Sequence, residues 1–107
     1  MYINEIEVTD LVSLLDEQED ISIIDVREAQ EVATGMVPGS AHIPMVTLPV
    51  RLDELPRDKK VVMVCRSGAR SAQCCYWLMQ QGYDNVYNLR GGMIAWHSSG
   101  LALQQSA

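Results

Sequence analysis

Cys65-Arg66-Ser67-Gly68-Ala69-Arg70-Ser71 gathers a thiol, two guanidinium groups, two hydroxyls and a glycine within seven positions. The apolar run Val61-Val62-Met63-Val64 precedes it and reads as a buried strand. Ser71 opens a stretch to Gln81 that reads as a helix closed by Gly82. The thiol therefore stands where a strand turns into a helix. Successive backbone N–H groups in a tight loop form an anion-binding concavity, and the first turn of the next helix adds unpaired donors and the positive end of its dipole. A free cysteine has a pKa of about 8.5, and a helix N-terminus with arginine nearby lowers it to roughly 3.5 to 7.5. Cys65 is expected to be largely ionised near neutral pH, a nucleophile that needs no partner base.

The remaining thiols and imidazoles offer little competing chemistry. Cys65, Cys74 and Cys75 are an odd number in a chain with no secretion signal at its start, which argues against a disulfide framework. Zinc would have to draw on these three with His42 and His97, without a Cys-x-x-Cys pair, and adjacent residues on a helix point to different faces. No metal and no cofactor are expected. Cys74 and Cys75 read as small packing residues, and His42 as a hydrogen-bonded structural histidine beside a strand.

Elements that could position the loop alternate along the chain. Ile21–Val26, Val61–Val64 and Val86–Leu89 read as strands, Ala41–Ile43 as a short one before Pro44, and Tyr2–Ile6 as an edge strand. A helix is predicted over Asp10–Asp16, capped by Thr9, with Leu11, Leu14 and Leu15 as its apolar stripe. Weaker helical patterns cover Ala29–Thr34, Leu48–Glu54 and Met93–Trp96. Strands separated by helices predict an α/β fold with a parallel sheet covered on both faces, and ligands of such sheets bind at the carboxyl ends of strands. Cys65 is at such an end.

At 107 residues the chain is expected to form a single domain over 1–107, with its core at about 4–100 and a short tail at 101–107. A chain of this size buries about two-thirds of its unfolded surface, enough for one core without staples. No apolar stretch approaches the roughly 20 residues that span a bilayer, and the start has neither the basic flank nor the apolar block of a signal peptide. A cytoplasmic location, away from membranes, is expected. Charge is uneven: residues 1–35 hold ten acids against Arg27 alone, while residues 59–107 hold five bases against Asp84. The reactive half is basic within a chain of net charge −6, yet it lacks the clustered Lys and Arg of a nucleic-acid surface.

Four segments in order carry a family resemblance: Asp25-Val26-Arg27-Glu28, Gly35 to Pro44, Cys65 to Ser71, and Leu89 to Trp96. Together they resemble a single-domain rhodanese, a sulfurtransferase. The resemblance implies a three-layer α/β domain with a central parallel sheet flanked by helices on both faces. It also implies a cysteine that takes sulfane sulfur from a donor, holds it as a persulfide and passes it to a nucleophile. Two departures stand out: Met36 replaces the histidine common in the family, and Val32 an aromatic residue. Four residues separate Cys65 from Arg70, whereas phosphatases of related architecture enclose five, and the smaller ring favours sulfur over a phosphoryl group.

On this reading Cys65 is the nucleophile, and the N–H groups of Arg66, Ser67, Gly68, Ala69, Arg70 and Ser71 hold the persulfide anion. Gly68 supplies the positive φ of the nest. Arg70 is expected to turn inward and brace the loop against Asp25 or Glu28, and Arg66 to face outward and attract an anionic donor. Asp25, Arg27, Glu28, Gly91 and Gly92 are expected as structural support, and Trp96 as core. The partners implied are a small sulfur donor such as thiosulfate or a persulfide, and an acceptor that is cyanide, a thiol or a sulfur-carrier protein, with the chain a monomer or homodimer. A non-catalytic binding or regulatory module and, less favoured by the spacing, a cysteine phosphatase remain the alternatives.

Overall fold

The computed structural model describes residues 2–105. Met1, Ser106 and Ala107, the ends of the expected domain and tail, lie outside the described residues. Five strands, β1 (Glu5–Ile6), β2 (Ser22–Asp25), β3 (Ser40–His42), β4 (Val61–Val64) and β5 (Val86–Leu89), form one sheet in the order β1-β5-β4-β2-β3. All four pairings are parallel. Central β4 is buried at every position, as a strand covered on both faces must be.

Alternation along the strands divides the core in two. Ile24, Val61 and Met63 face α3 (Ala69–Gln80), whose Cys74, Cys75 and Leu78 complete that cluster with Leu48 and Leu55. Ile23, Val62 and Val64 face the opposite way, toward Val8 and Leu11 of α1 (Val8–Asp16) and Met93 and Trp96 of α4 (Gly92–Ser98). The sheet is thus covered on both faces, as its sequence pattern predicts. A single-turn helix, α2 (Ala29–Val32), follows β2.

Several boundaries differ from those expected. Helix α1 begins at Val8 and is capped by Glu7 in a capping box with Asp10, whose Oδ2 accepts the Glu7 N–H at 3.0 Å, so Thr9 lies inside the helix and caps nothing. Residues 45–54 are two short 3₁₀ helices, Met45–Val50 and Leu52–Glu54, because Pro49 cannot donate to an α-helical ladder. Beyond α4 the chain turns back: Trp96 Nε1–H donates to the Ala102 carbonyl at 2.9 Å, and Gln104 bridges to Met36. Met36, which takes the place of the family's histidine, is buried beneath that return. No helix among the described residues is long and apolar enough to cross a membrane.

Candidate active site

Strand β4 delivers Cys65 to the carboxyl edge of the sheet, where the thiol is 1% exposed. Gly68, at φ +96°, then reverses the chain and stands at the N-cap of α3. That turn starts the helix at Ala69, two residues earlier than the sequence suggests. Ala69, Arg70 and Ser71 therefore form its first turn, where N–H groups have no intrahelical acceptor. Cys65 Sγ accepts the Gly68 N–H at 3.1 Å and faces Ser71 Oγ at 3.2 Å. Burial by itself pushes the thiol up. The Ser71 hydroxyl and the N–H groups of Ser71, Gly68 and Ser67 together outweigh it and leave Cys65 below its ordinary value.

The outer wall of the loop is built by the turn before α4. Gly91 (φ +78°) and Gly92 (φ +53°) bring the first amides of α4 against the loop. Met93 N–H donates to the Cys65 carbonyl and Ile94 N–H to that of Arg66, each at 2.9 Å. A Cβ on Gly92 would lie 2.7 Å from the Arg66 carbonyl oxygen and closer still to that of Cys65. The pair expected as structural support is thus in contact with the reactive loop.

Both loop arginines differ in environment. Arg70 braces the loop through a two-pronged pair with Glu31 of α2, Nη1 to Oε1 at 2.9 Å and Nη2 to Oε2 at 2.8 Å. It does not pair with Asp25 or Glu28, as expected from sequence. Asp25 is fully buried and committed to Arg27, whose Nη2 meets its Oδ2 at 2.8 Å and also donates to the Gly35 carbonyl. Glu28 is the N-cap of α2, where its N–H donates to Glu31. Hydrogen bonding from Arg70 holds the Glu31 carboxyl down at about 2, against the smaller opposing effect of burial.

Arg66 is exposed and has no carboxylate partner among the described residues. It borders a cleft of about 550 Å³ between α2 and α4, lined also by Gln30, Thr34, Ile94 and His97. Ser67 and Ala69 are exposed at the rim. Elsewhere the packing readings hold: Cys74 and Cys75 are buried, Trp96 is core, and His42 Nε2 hydrogen-bonds the Arg27 carbonyl at 2.7 Å. Desolvation pushes Cys74 up to about 11 and Cys75 to about 12.

Two residues of the site escaped the sequence reading. Glu31 stands three positions after Glu28, a capping-box spacing that marks the start of α2, but nothing in one dimension shows that the same carboxylate reaches Arg70. Asn88, buried on β5, accepts from Ser71 Oγ and donates through Nδ2 to the Gly68 carbonyl at 3.2 Å. Its signal was present: a lone amide in the otherwise apolar strand Val86-Tyr87-Asn88-Leu89 must find partners when buried.

Known proteins share this fold. Residues 7–99 match the family model described as a rhodanese-like domain. A protein of Allochromatium vinosum named sulfurtransferase is 48% identical over 101 residues, covering 94% of each chain. The thiosulfate sulfurtransferase GlpE of Pseudoalteromonas translucida is 29% identical over 92% of this chain and 93% of its own. The crystal structure of a rhodanese-related protein from Thermoplasma volcanium, 30% identical, superposes with a TM-score of 0.87 over 96% of this chain and 99% of that one. A buried thiol in a main-chain cradle at the carboxyl edge of a five-stranded parallel sheet, with this match along nearly the whole chain, shows that the protein belongs to the rhodanese-like domain family.

Proposed function

We propose that the protein transfers sulfane sulfur from a small anionic donor to a thiol or cyanide acceptor through a persulfide on Cys65. The observation that carries this reading is the cradle itself: a thiol held below its ordinary pKa, with the Gly68 N–H turned toward its sulfur and the Ser71 hydroxyl 3.2 Å from it. In the first step the Cys65 thiolate attacks the outer sulfur of thiosulfate. The donor's S–S bond breaks, sulfite leaves with the electron pair, and Cys65–S–S⁻ remains. The negative outer sulfur then takes the place of the thiolate as acceptor for the ring of N–H groups. In the second step cyanide or a thiol attacks that outer sulfur, and the Cys65 thiolate is regenerated as the leaving group. No general base is required.

Arg66 supports an anionic donor, since it has no carboxylate partner among the described residues and borders the cleft beside the thiol. Arg70, spent on Glu31, acts as a brace. The domain over 1–107 is the unit proposed to carry this activity, and a thiol of a carrier protein belongs to the same acceptor class. Mass spectrometry after incubation with thiosulfate tests the reading: one sulfur atom is gained on Cys65, is removed by cyanide, and is absent from Cys65→Ser. Arg66→Ala should raise the KM for thiosulfate by roughly tenfold with a smaller effect on kcat. A protein that gains no sulfur from thiosulfate or any organic persulfide is a binding module instead.

A further inference from the structure

A chain of hydrogen bonds runs from Cys65 away from the bowl to the edge of the sheet. Ser71 Oγ contacts both Cys65 Sγ and Asn88 Oδ1. Asn88 Nδ2 donates to the Gly68 carbonyl and, at 2.9 Å, to Glu5 Oε2 on β1, which the parallel register sets opposite Asn88. Two acceptors facing one end of the amide fix that end as the NH₂ group, so Asn88 presents its oxygen to Ser71. Ser71 owns a single hydroxyl hydrogen. Turned toward Asn88, it leaves an oxygen lone pair facing Sγ, which a protonated thiol answers by donating its S–H and which the uncharged inner sulfur of a persulfide tolerates better than a thiolate does. Turned toward a thiolate, it leaves two oxygens facing each other, unless Asn88 rotates and gives up Glu5 and Gly68.

We propose that Asn88, oriented by Glu5, is a positioning residue that sets the direction of the Ser71 hydrogen and thereby the balance between thiolate and uncharged sulfur at Cys65. The relay favours the persulfidated state over the empty thiolate, in which Ser71 and Asn88 conflict. The groups around Cys65 are Arg66 in the loop, Arg70 and the neutral thiols of Cys74 and Cys75 on α3, the closed Asp25–Arg27 pair near the end of β2, and Glu5 with its partner Arg90 beyond Asn88. Only Glu5 acts through the amide. A glutamine at position 5 can donate to a rotated Asn88 oxygen and so offset the bond lost at the Gly68 carbonyl; Glu5→Gln therefore eases the turn of the amide that gives the Ser71 hydrogen to the thiolate.

The inference rests on Cys65 as the reacting thiol. Its test is the pH dependence of Cys65 alkylation by iodoacetamide, followed by peptide mapping, which reports ionisation whether or not the protein transfers sulfur. Glu5→Gln should lower the midpoint by about half a pH unit or more. Glu7→Gln, which removes the neighbouring carboxylate bound to the same Arg90 at 3.1 Å, should leave it in place. On a Ser71→Ala background the Glu5→Gln shift should vanish, because the relay is cut. An unshifted midpoint in Glu5→Gln overturns the proposal. So does a shift that persists without the Ser71 hydroxyl, or one that Glu7→Gln reproduces, since each marks a through-space charge effect.

Discussion

Gly92 shows how little room separates Cys65 from its surroundings. Its left-handed backbone and the two loop carbonyls against it leave no place for a methyl group. Gly92→Ala combines strain of about 1–2 kcal/mol with overpacking of about 1–3 kcal/mol, and should lower the Tm by at least about 8 °C. Gly39→Ala is the control, at φ +88° with open space around it, and should cost only the strain. Thermal unfolding followed by circular dichroism separates the two. The thiols make a second residue-level contrast. Cys65 sits below its ordinary value while Cys74 and Cys75 are pushed up to about 11 and 12. Iodoacetamide at pH 8 should therefore modify one cysteine in the folded protein and three after denaturation, counted by intact mass.

Among elements, α2 owes its importance to Glu31. One turn of helix is marginal alone, but this one is tied to α3 through Arg70 and to β2 through Arg27, whose Nη1 reaches the Glu31 carbonyl. Because the folded protein holds Glu31 at about 2 instead of 4.5, the pair contributes its full stability above pH 4.5 and loses it as pH falls through about 2. Comparing urea unfolding of the native chain with Glu31→Gln should show an advantage of roughly 1 kcal/mol for a pair this open to solvent, present at pH 6 and mostly lost at pH 2. The same element marks a limit of sequence reading. The Glu28-to-Glu31 spacing announces a helix start, yet the Arg70 contact spans 39 positions and follows from how α2 and α3 are placed around the sheet. The strands were legible because Val61–Val64 and Val86–Leu89 carry local apolar signals. The start of α3 was not, since Gly68 reads as a loop residue until its φ shows it turning the chain into the helix. Pro49 could have warned that 48–54 would not be an α-helix. Thr9 misled because a capping glutamate at position 7, answered by Asp10, outcompeted it.

For the molecule as a whole, the return of residues 101–104 closes the side of the core that holds α1 and α4. Leu101 and Leu103 pack against it, and Gln104 meets Met36 in both directions, N–H to carbonyl at 2.8 Å. A chain ending at Gly100 loses two partly buried leucines and this pair of bonds. It should be less stable by about 2–4 kcal/mol, with Trp96 fluorescence shifted to the red. The basic half that the charge pattern pointed to is largely spent on internal partners: Arg70 on Glu31, Arg90 on Glu5 and Glu7, Lys59 on Asp20. Lys60 lies over the Tyr87 ring, 4.7 Å from its centroid, and Arg66 stands exposed beside the reactive loop. With no carboxylate partner among the described residues, Arg66 sets a local positive charge beside the thiol in a chain of net charge −6.

The amides of Met93 and Ile94 occupy the carbonyls of Cys65 and Arg66 from outside, while the Gly68 N–H faces the thiol from within. The loop around the thiol is thus held largely by peptide backbone, and the exposed side chains of Arg66, Ser67 and Ala69 stand at its rim. On the proposed reading, substitutions at those three rim positions should change the choice of donor or acceptor while leaving the ring around the thiol as it is, which makes specificity in this fold a property separable from reactivity.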